Sequence, residues 1–288
     1  MKYLLAVDGS DQSLDATRAF EALSPGESLK LLHVVNVPGI PYPAMGANVA
    51  KDLAMTVERA MNEEGERVLN QAESLLPLHS GSISKQLETG SPAESILKMA
   101  QDEKVDLVVM GARGMGRVRE QIFGSVSHRV MTHASCSTLL VKEPVRHMKN
   151  LLVPIDGQED SDAVLAFFKK RPFREPCSIT VLHAIPLVDP VWPVGAMIPP
   201  EFRKEMVAYA EKFTQVLCVE LERLGHQAKG LAFEGAPSVT IAEEVKKTKP
   251  DLLIMRPHRQ SGVSRFFLGS VSHSVVHHTD CSLLLVRE

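Results

Sequence analysis

The residues of this chain best suited to hold an anion are three glycines and two serines in one stretch. Gly111 is followed after two residues by Gly114, and after nine more by Gly124 and Ser125, with Ser127 close behind. The stretch follows an aliphatic run ending in Met110. Glycine lets a backbone approach a phosphate chain closely and adopt positive φ. Gly124, Ser125, Val126 and Ser127 are expected to open a helix, where unpaired N–H groups and the helix dipole attract anions. The hydroxyls of Ser125 and Ser127 can donate to phosphate oxygens, and Arg113 and Arg117 add positive charge. Asp8 ends the run YLLAV and enters the turn DGSDQS. Its carboxylate can accept hydrogen bonds from ribose hydroxyls or a base amine. Val34, ending another aliphatic run, can offer backbone groups to a base edge. Glycines after a strand also serve plain turns, and Gly-Ser before a helix is an ordinary cap. The ligand reading therefore depends on the loop and Asp8 sharing one end of a sheet. The loop is not a Walker A motif, because no GK[ST] closes it. Nor is it the dinucleotide fingerprint, because its glycines run GxxGxG.

The elements that must position these residues alternate strand and helix. The first half reads as strand YLLAVD, a helix through SLDATRAFEAL, strand LKLLHVV, a loop rich in proline and glycine, and a long amphipathic helix from about Val49 to Leu75. A strand around Ile83–Glu88, a helix Pro92–Asp102, strand DLVVMG, a helix beginning near Gly124 and strand STLLVK follow. Short continuous aliphatic strands are the mark of a parallel sheet covered on both faces. Right-handed crossovers then give an open, doubly wound sheet of about five strands.

The pattern occurs twice. FGSVSH, SCSTLLVK and TGSPAESI recur as LGSVSH, DCSLLLVR and EGAPSVTI, each 145 residues later. LLAVDGS and LLHVV recur as LVPIDGQ and VLHAI at offsets of 148 and 150. The expected domains are 1–143 and 149–288, joined by a short polar stretch. The second copy departs at the glycine loop. Arg256 and Arg259 stand where Gly111 and Gly114 do, and Pro257 replaces Ala112, while Asp156, Gly269 and Ser270 keep the pattern. Bulky residues there are expected to block close approach of a triphosphate. Arg256, His258, Arg259 and Arg265 form a basic edge, read first as a solvated charged loop, with binding of a smaller anion as the alternative.

With 44% hydrophobic and 23% charged residues, the chain of 288 residues is composed like a globular protein. A net charge of -3 gives no electrostatic case for nucleic acid or anionic membranes. The four cysteines form no CxxC pair and are expected to be reduced. The apolar run at the start is too short for a signal-peptide core, so a cytoplasmic protein is expected. His33 and His183 are repeat equivalents, as are His128 and His273, which argues for structural roles. His273 and His277 alone are a weak metal signal. Met45, Met55, Met61, Met197 and Met206, in or beside the long helices, are read mostly as core or inter-domain packing residues rather than a ligand box. No nucleophile–base–orienter set and no Walker B carboxylate is visible, so no catalytic residues are assigned.

The combination AVDGSDQS, LLHVV, TGSPAESI, VVMGARGMG and FGSVSHRV resembles the universal stress protein family across 1–142. The resemblance implies two flavodoxin-like domains of the adenine-nucleotide α-hydrolase kind, with strand order 3-2-1-4-5. It implies that Ala6, Val7, Asp8, Val34, Met110, Gly111, Gly114, Gly124, Ser125, Val126 and Ser127 contact a nucleotide. It also implies ATP, AMP or ADP with Mg²⁺ or Mn²⁺. Dimerisation through the last strand is a further implication; a tandem chain could pair STLLVK with SLLLVR within itself, and a further homodimer is possible. The leading expectation is a stress-response regulatory protein with ATP in the first copy. Two alternatives stand beside it. DGSDQS loosely resembles the SGGxDS loop of ATP-pyrophosphatase enzymes, and a scaffold without nucleotide is the other. A slow ATPase is compatible with the leading reading.

Overall fold

The computed structural model describes residues 1–37, 47–78, 81–114, 123–145, 147–186, 200–257 and 269–287. The proline- and glycine-rich connections expected after the second strand of each copy lie largely outside that set. The chain divides into two compact units. Unit 1 comprises Met1–Glu21 and Pro25–Pro144, and unit 2 comprises Ala22–Ser24 and Val145–Glu288.

In unit 1 the elements are β1 (Lys2–Ala6), α1 (Asp11–Arg18) with a 3₁₀ turn Ala19–Glu21, β2 (Ser28–Val35), α2 (Ala47–Leu75), β3 (Ser82–Thr89), α3 (Pro92–Asp102), β4 (Leu107–Gly111), α4 (Ser125–His133) and β5 (Ser137–Val141). The strands run β3-β2-β1-β4-β5 and all pair in parallel. The fold class read from the sequence is the one observed. β4 and β5 are buried along their whole length, as expected for strands covered on both faces. β3, SISKQLET, lies at a sheet edge and is largely exposed, which accounts for its polar sequence.

Unit 2 repeats the plan with β6 (Asn150–Pro154), α5 (Gln158–Lys169), β7 (Ser178–Ile185), α6 (Pro200–Arg223), β8 (Gln227–Glu234), α7 (Pro237–Thr248), β9 (Leu252–Met255), α8 (Ser270–His278) and β10 (Ser282–Leu285). Its strands are ordered β8-β7-β6-β9-β10, again parallel. Small residues trade places between the units where the long helix crosses the sheet. In unit 1 a Cβ on helical Gly65 would come 2.5 Å from Leu87 of β3. In unit 2 the glycine is on the strand, and a Cβ on Gly230 would come 2.2 Å from Thr214 of α6. Either arrangement brings helix and sheet into the same close contact.

The core is aliphatic, as the scarcity of aromatics requires. None of the four cysteines is in a disulfide. Of the methionines in or beside the long helices, Met55 and Met206 are exposed and so lie outside the core, and Met45 and Met197 fall outside the described residues. No described helix is long and apolar enough to cross a membrane.

Candidate functional site

β1 is paired with β2 on one side and β4 on the other, so the chain order reverses at β1/β4. A doubly wound sheet opens a crevice at that point, beyond the C-terminal strand ends. The registers Ala6↔Met110 and Met110↔Leu140 bring the ends of β1, β4 and β5 level. Asp8 and Gly111 therefore emerge side by side.

A cavity of about 640 Å³ lies at this crevice, within the size range of small-molecule sites. Ala6, Val7, Asp8, Val34, Met110, Gly111, Arg113, Gly114, Gly124, Ser125, Val126 and Ser127 all line it. Every site residue read from the sequence and described in the structure is thus brought to one place. Arg117 lies outside the described residues. The lining also includes residues the sequence did not single out, among them Ser10, Gln12, Pro92, Ile96 and Phe123. Pro92 and Ile96, from α3, and Val34 give part of the cavity an apolar wall.

The turn after β1 is built from its own side chains. The Asp8 carboxylate accepts from the Ser10 N–H (3.0 Å) and the Ser10 hydroxyl (2.6 Å). The Ser10 hydroxyl oxygen in turn accepts from Ser13 N–H and caps α1. His33 holds the end of β1, its Nδ1 2.8 Å from the Val7 carbonyl oxygen. His183 makes the same 2.8 Å contact with Ile155 in unit 2, so the structural reading of this pair holds.

The glycines are explained differently from the expectation. Neither Gly111 nor Gly114 has positive φ; Gly9, in the Asp8 turn, does, at 84°. Gly111 is required by packing. A Cβ there would stand 2.8 Å from the Gln12 carbonyl carbon and 2.9 Å from the Ser13 nitrogen. At Gly114 a Cβ would come 2.2 Å from Asp8 Oδ2, so this glycine lets the loop pass over the carboxylate. Gly124 begins α4 with no side-chain cap, and a Cβ on it would meet only ordinary contacts. The N–H groups of the first α4 turn are left for a ligand or solvent.

Ser125 is exposed, as a phosphate donor should be. Ser127 is not. Its hydroxyl is buried and donates to the carbonyls of Ala112 and Gly124. This corrects the expectation for its side chain: the hydroxyl ties the loop to the helix, and the residue can serve a ligand only through its backbone. Gln12 is a second tie. Its Oε1 accepts from Arg113 N–H (2.7 Å), and its Nε2 donates to the Lys142 carbonyl (2.9 Å). Nothing in DGSDQS marks Gln12, because both partners lie more than a hundred residues away.

The matching end of unit 2 is arranged otherwise. Gly157 takes φ −158°, ordinary extended backbone, in place of the positive φ of Gly9. Asp160 accepts from the Asp156 N–H at 2.9 Å. The Arg256 guanidinium reaches Glu159 at 2.9 Å and Asp160 at 3.4 Å, with only 18% of its side chain exposed. Arg256 is therefore paired rather than solvated, which corrects the reading of a wholly solvated basic edge. His258, Arg259 and Arg265 lie outside the described residues. Ser272, the counterpart of Ser127, is buried with no hydrogen-bond partner for its hydroxyl among the described residues.

The profile of the Universal stress protein family matches this chain twice, over residues 1–142 and 147–287. A universal stress protein of Mycolicibacterium smegmatis is 25% identical over 299 residues, spanning 99% of this chain and 96% of the relative. One from Thermus aquaticus is 35% identical over 141 residues, covering 48% of this chain and 96% of its own length. The crystal structure of a universal stress protein from Archaeoglobus fulgidus superposes with a TM-score of 0.65 at 17% identity, covering 99% and 98% of the two chains, and so shares the fold. With a strand–helix repeat, a glycine loop beside Asp8 and a double family match over nearly its whole length, the chain belongs to the universal stress protein family.

Proposed function

We propose that unit 1 binds an adenine nucleotide, ATP foremost, and that the protein acts in stress response as a nucleotide-dependent regulator rather than through turnover. The observation that carries this reading is the convergence of Asp8, the glycine loop and the α4 N-terminus on one cavity of about 640 Å³. Ser125–Ser127 would offer N–H groups to the phosphates, with Arg113 beside them. The apolar wall of Val34 and Ile96 would take the base, and Asp8 the ribose. A bound Mg²⁺ or Mn²⁺ would neutralise the phosphate chain. Asp8 and Asp11 are the carboxylates lining the cavity among the described residues, and phosphate oxygens and water would complete the ion's shell. Unit 2 serves as the built-in partner of the first, a role that rests on the repeat of the last strand. A cytoplasmic setting fits this role.

The test is calorimetric titration and thermal denaturation of the full chain with ATP and Mg²⁺, beside Gly114→Arg. The parent should bind about one nucleotide per chain with a clear rise in Tm. Gly114→Arg should lose both, because its side chain must pass through the space beside Asp8. No binding by the parent would remove the proposal. Release of AMP and pyrophosphate would move the reading to an ATP-pyrophosphatase; slow release of phosphate and ADP would be compatible with it.

A further inference from the structure

The long helix of each unit buries one face in the same way. Gly65, Val68, Leu69 and Ala72 of α2 and Thr214, Leu217, Cys218 and Leu221 of α6 are the matching buried positions. The flank beside that face differs. In α6 it carries Phe202, Met206, Tyr209, Phe213 and Val216. Tyr209 is 75% exposed, Val216 61% and Phe202 60%. In α2 the matching residues are Leu53, Val57, Ala60, Glu64 and Arg67, and the last two form an ion pair at 2.9 Å. Unit 2 thus carries a seam of apolar side chains along the whole flank, Phe213 half-buried against His183 and the other four exposed, where the same flank of unit 1 ends in an ion pair.

The spacing of the seam alternates four and three residues. That is the heptad repeat of a helix that packs lengthwise on another helix, with Met206 and Phe213 at a positions and Phe202, Tyr209 and Val216 at d. Glu205 and Lys212 then fall at g, both exposed, and neither has an ion-pair partner among the described residues. We propose that this seam is the contact for a second copy of the same chain, packed through antiparallel α6 helices. Charge sets the register. With Phe202 layered on Phe213 and Met206 on Tyr209, each twice about a two-fold axis, the g positions face one another as Glu205 against Lys212, also twice. The antiparallel register one heptad away brings Lys212 against its own copy. A parallel pair sets Glu205 against Ala210 and Lys212 against Leu217, with no pairing of opposite charge. Only the first arrangement satisfies both the apolar layers and the charges.

The test is sedimentation velocity of the full chain across a concentration series reaching a few hundred micromolar, a range suited to a small helical interface. The parent should pass from one-chain to two-chain mass. Tyr209→Lys, at a solvent-exposed position, should weaken association at least tenfold with Tm unchanged. Glu205→Lys should weaken it by roughly tenfold, and adding Lys212→Glu to it should restore the parent's affinity to within about twofold. One-chain mass for the parent at every concentration, or a dimer indifferent to Tyr209→Lys, would overturn the proposal. Failure of the double exchange to recover what the single lost would overturn the antiparallel register.

Discussion

The strand ends beyond β1/β4 in unit 1 and β6/β9 in unit 2 descend from one pattern and have reached opposite solutions. Unit 1 leaves a cavity. Gly111 packs its bare α-carbon on the start of α1, Gly114 clears Asp8, and neutral ties from Gln12 and Ser127 hold the rim. Unit 2 places a guanidinium there and balances it with the acidic first turn of α5. The second charge arrangement needs the first substitution: Asp160 stands where Gln12 does, and an acid buried at that point requires Arg256. Neutral ties leave the loop's charge unspent, which suits a site that must receive an external anion. A paired rim suits a site that has closed. The units differ again on the long helix, where unit 1 places the Glu64–Arg67 ion pair at the positions that unit 2 gives to Phe213 and Val216. Ligand reception in one half and self-association in the other is the division of labour these two contrasts support.

Four substitutions would break or sharpen the comparison. The largest effect is expected from Arg256→Ala. Asp160 is 4% exposed, and losing the Arg256 guanidinium takes a counter-ion from a buried carboxylate. Unit 2 should lose about 3 kcal/mol in chemical denaturation. A loss below 1 kcal/mol would mean the pair is solvated and the closed-site reading is wrong. The next compares Ser127→Ala with Ser272→Ala. The first deletes a buried hydroxyl that satisfies two carbonyls and should cost about 1–2 kcal/mol. The second removes an unsatisfied buried hydroxyl and should be neutral or slightly stabilising. Equal costs would erase the distinction between a tied and an untied rim.

The smallest effect concerns the opposite end of the sheets. In unit 1, Gly81 and Gly26 pack closely there. In unit 2, the Nδ1 of His226 accepts from the Cys177 N–H at 3.1 Å, and its ring meets Phe168 edge-on. Burial lowers the His226 pKa below its ordinary value. The unfolded chain takes up this proton near pH 6.5, while the folded chain resists it to lower pH. The His226 contribution is therefore complete above about pH 6.5 and is lost as pH falls through the folded pKa. Unit 2 should unfold at lower denaturant at pH 5.5 than at pH 7.5, by less than about 1.4 kcal/mol per pH unit. His226→Gln should flatten that slope; an unchanged slope would assign it elsewhere. The same burial, with Asp251 and Glu175 nearby, pushes the Cys177 thiol up to about 12, so it should be inert to thiol reagents in the folded chain.

Much of the architecture was legible because strand and helix periods are local. DLVVM, STLLV and Pro92–Asp102 declare themselves within a few residues, and the 145-residue repeat confirmed each element by its copy. The site was legible for a related reason: glycine spacing and an aspartate at a strand end are local marks, and a doubly wound sheet gathers strand ends at one edge. The reason for each glycine was not legible. A positive φ and a forbidden Cβ look alike in sequence, and only the neighbour across space separates Gly9 from Gly111. The roles of Gln12, Ser127 and Arg256 escaped for the same cause.

By itself, then, the amino-acid order determined two copies of one parallel α/β plan, the family, and which residues would meet at the crevice. Periodicity and repetition need no knowledge of distant contacts. The tertiary structure decided what those residues do on meeting: which hydroxyl is spent on the backbone, which guanidinium finds an acid, which helix flank stays apolar and bare. Those outcomes depend on pairs such as Gln12 with Arg113 and Asp160 with Arg256, far apart along the chain and joined only when the sheet closes the distance.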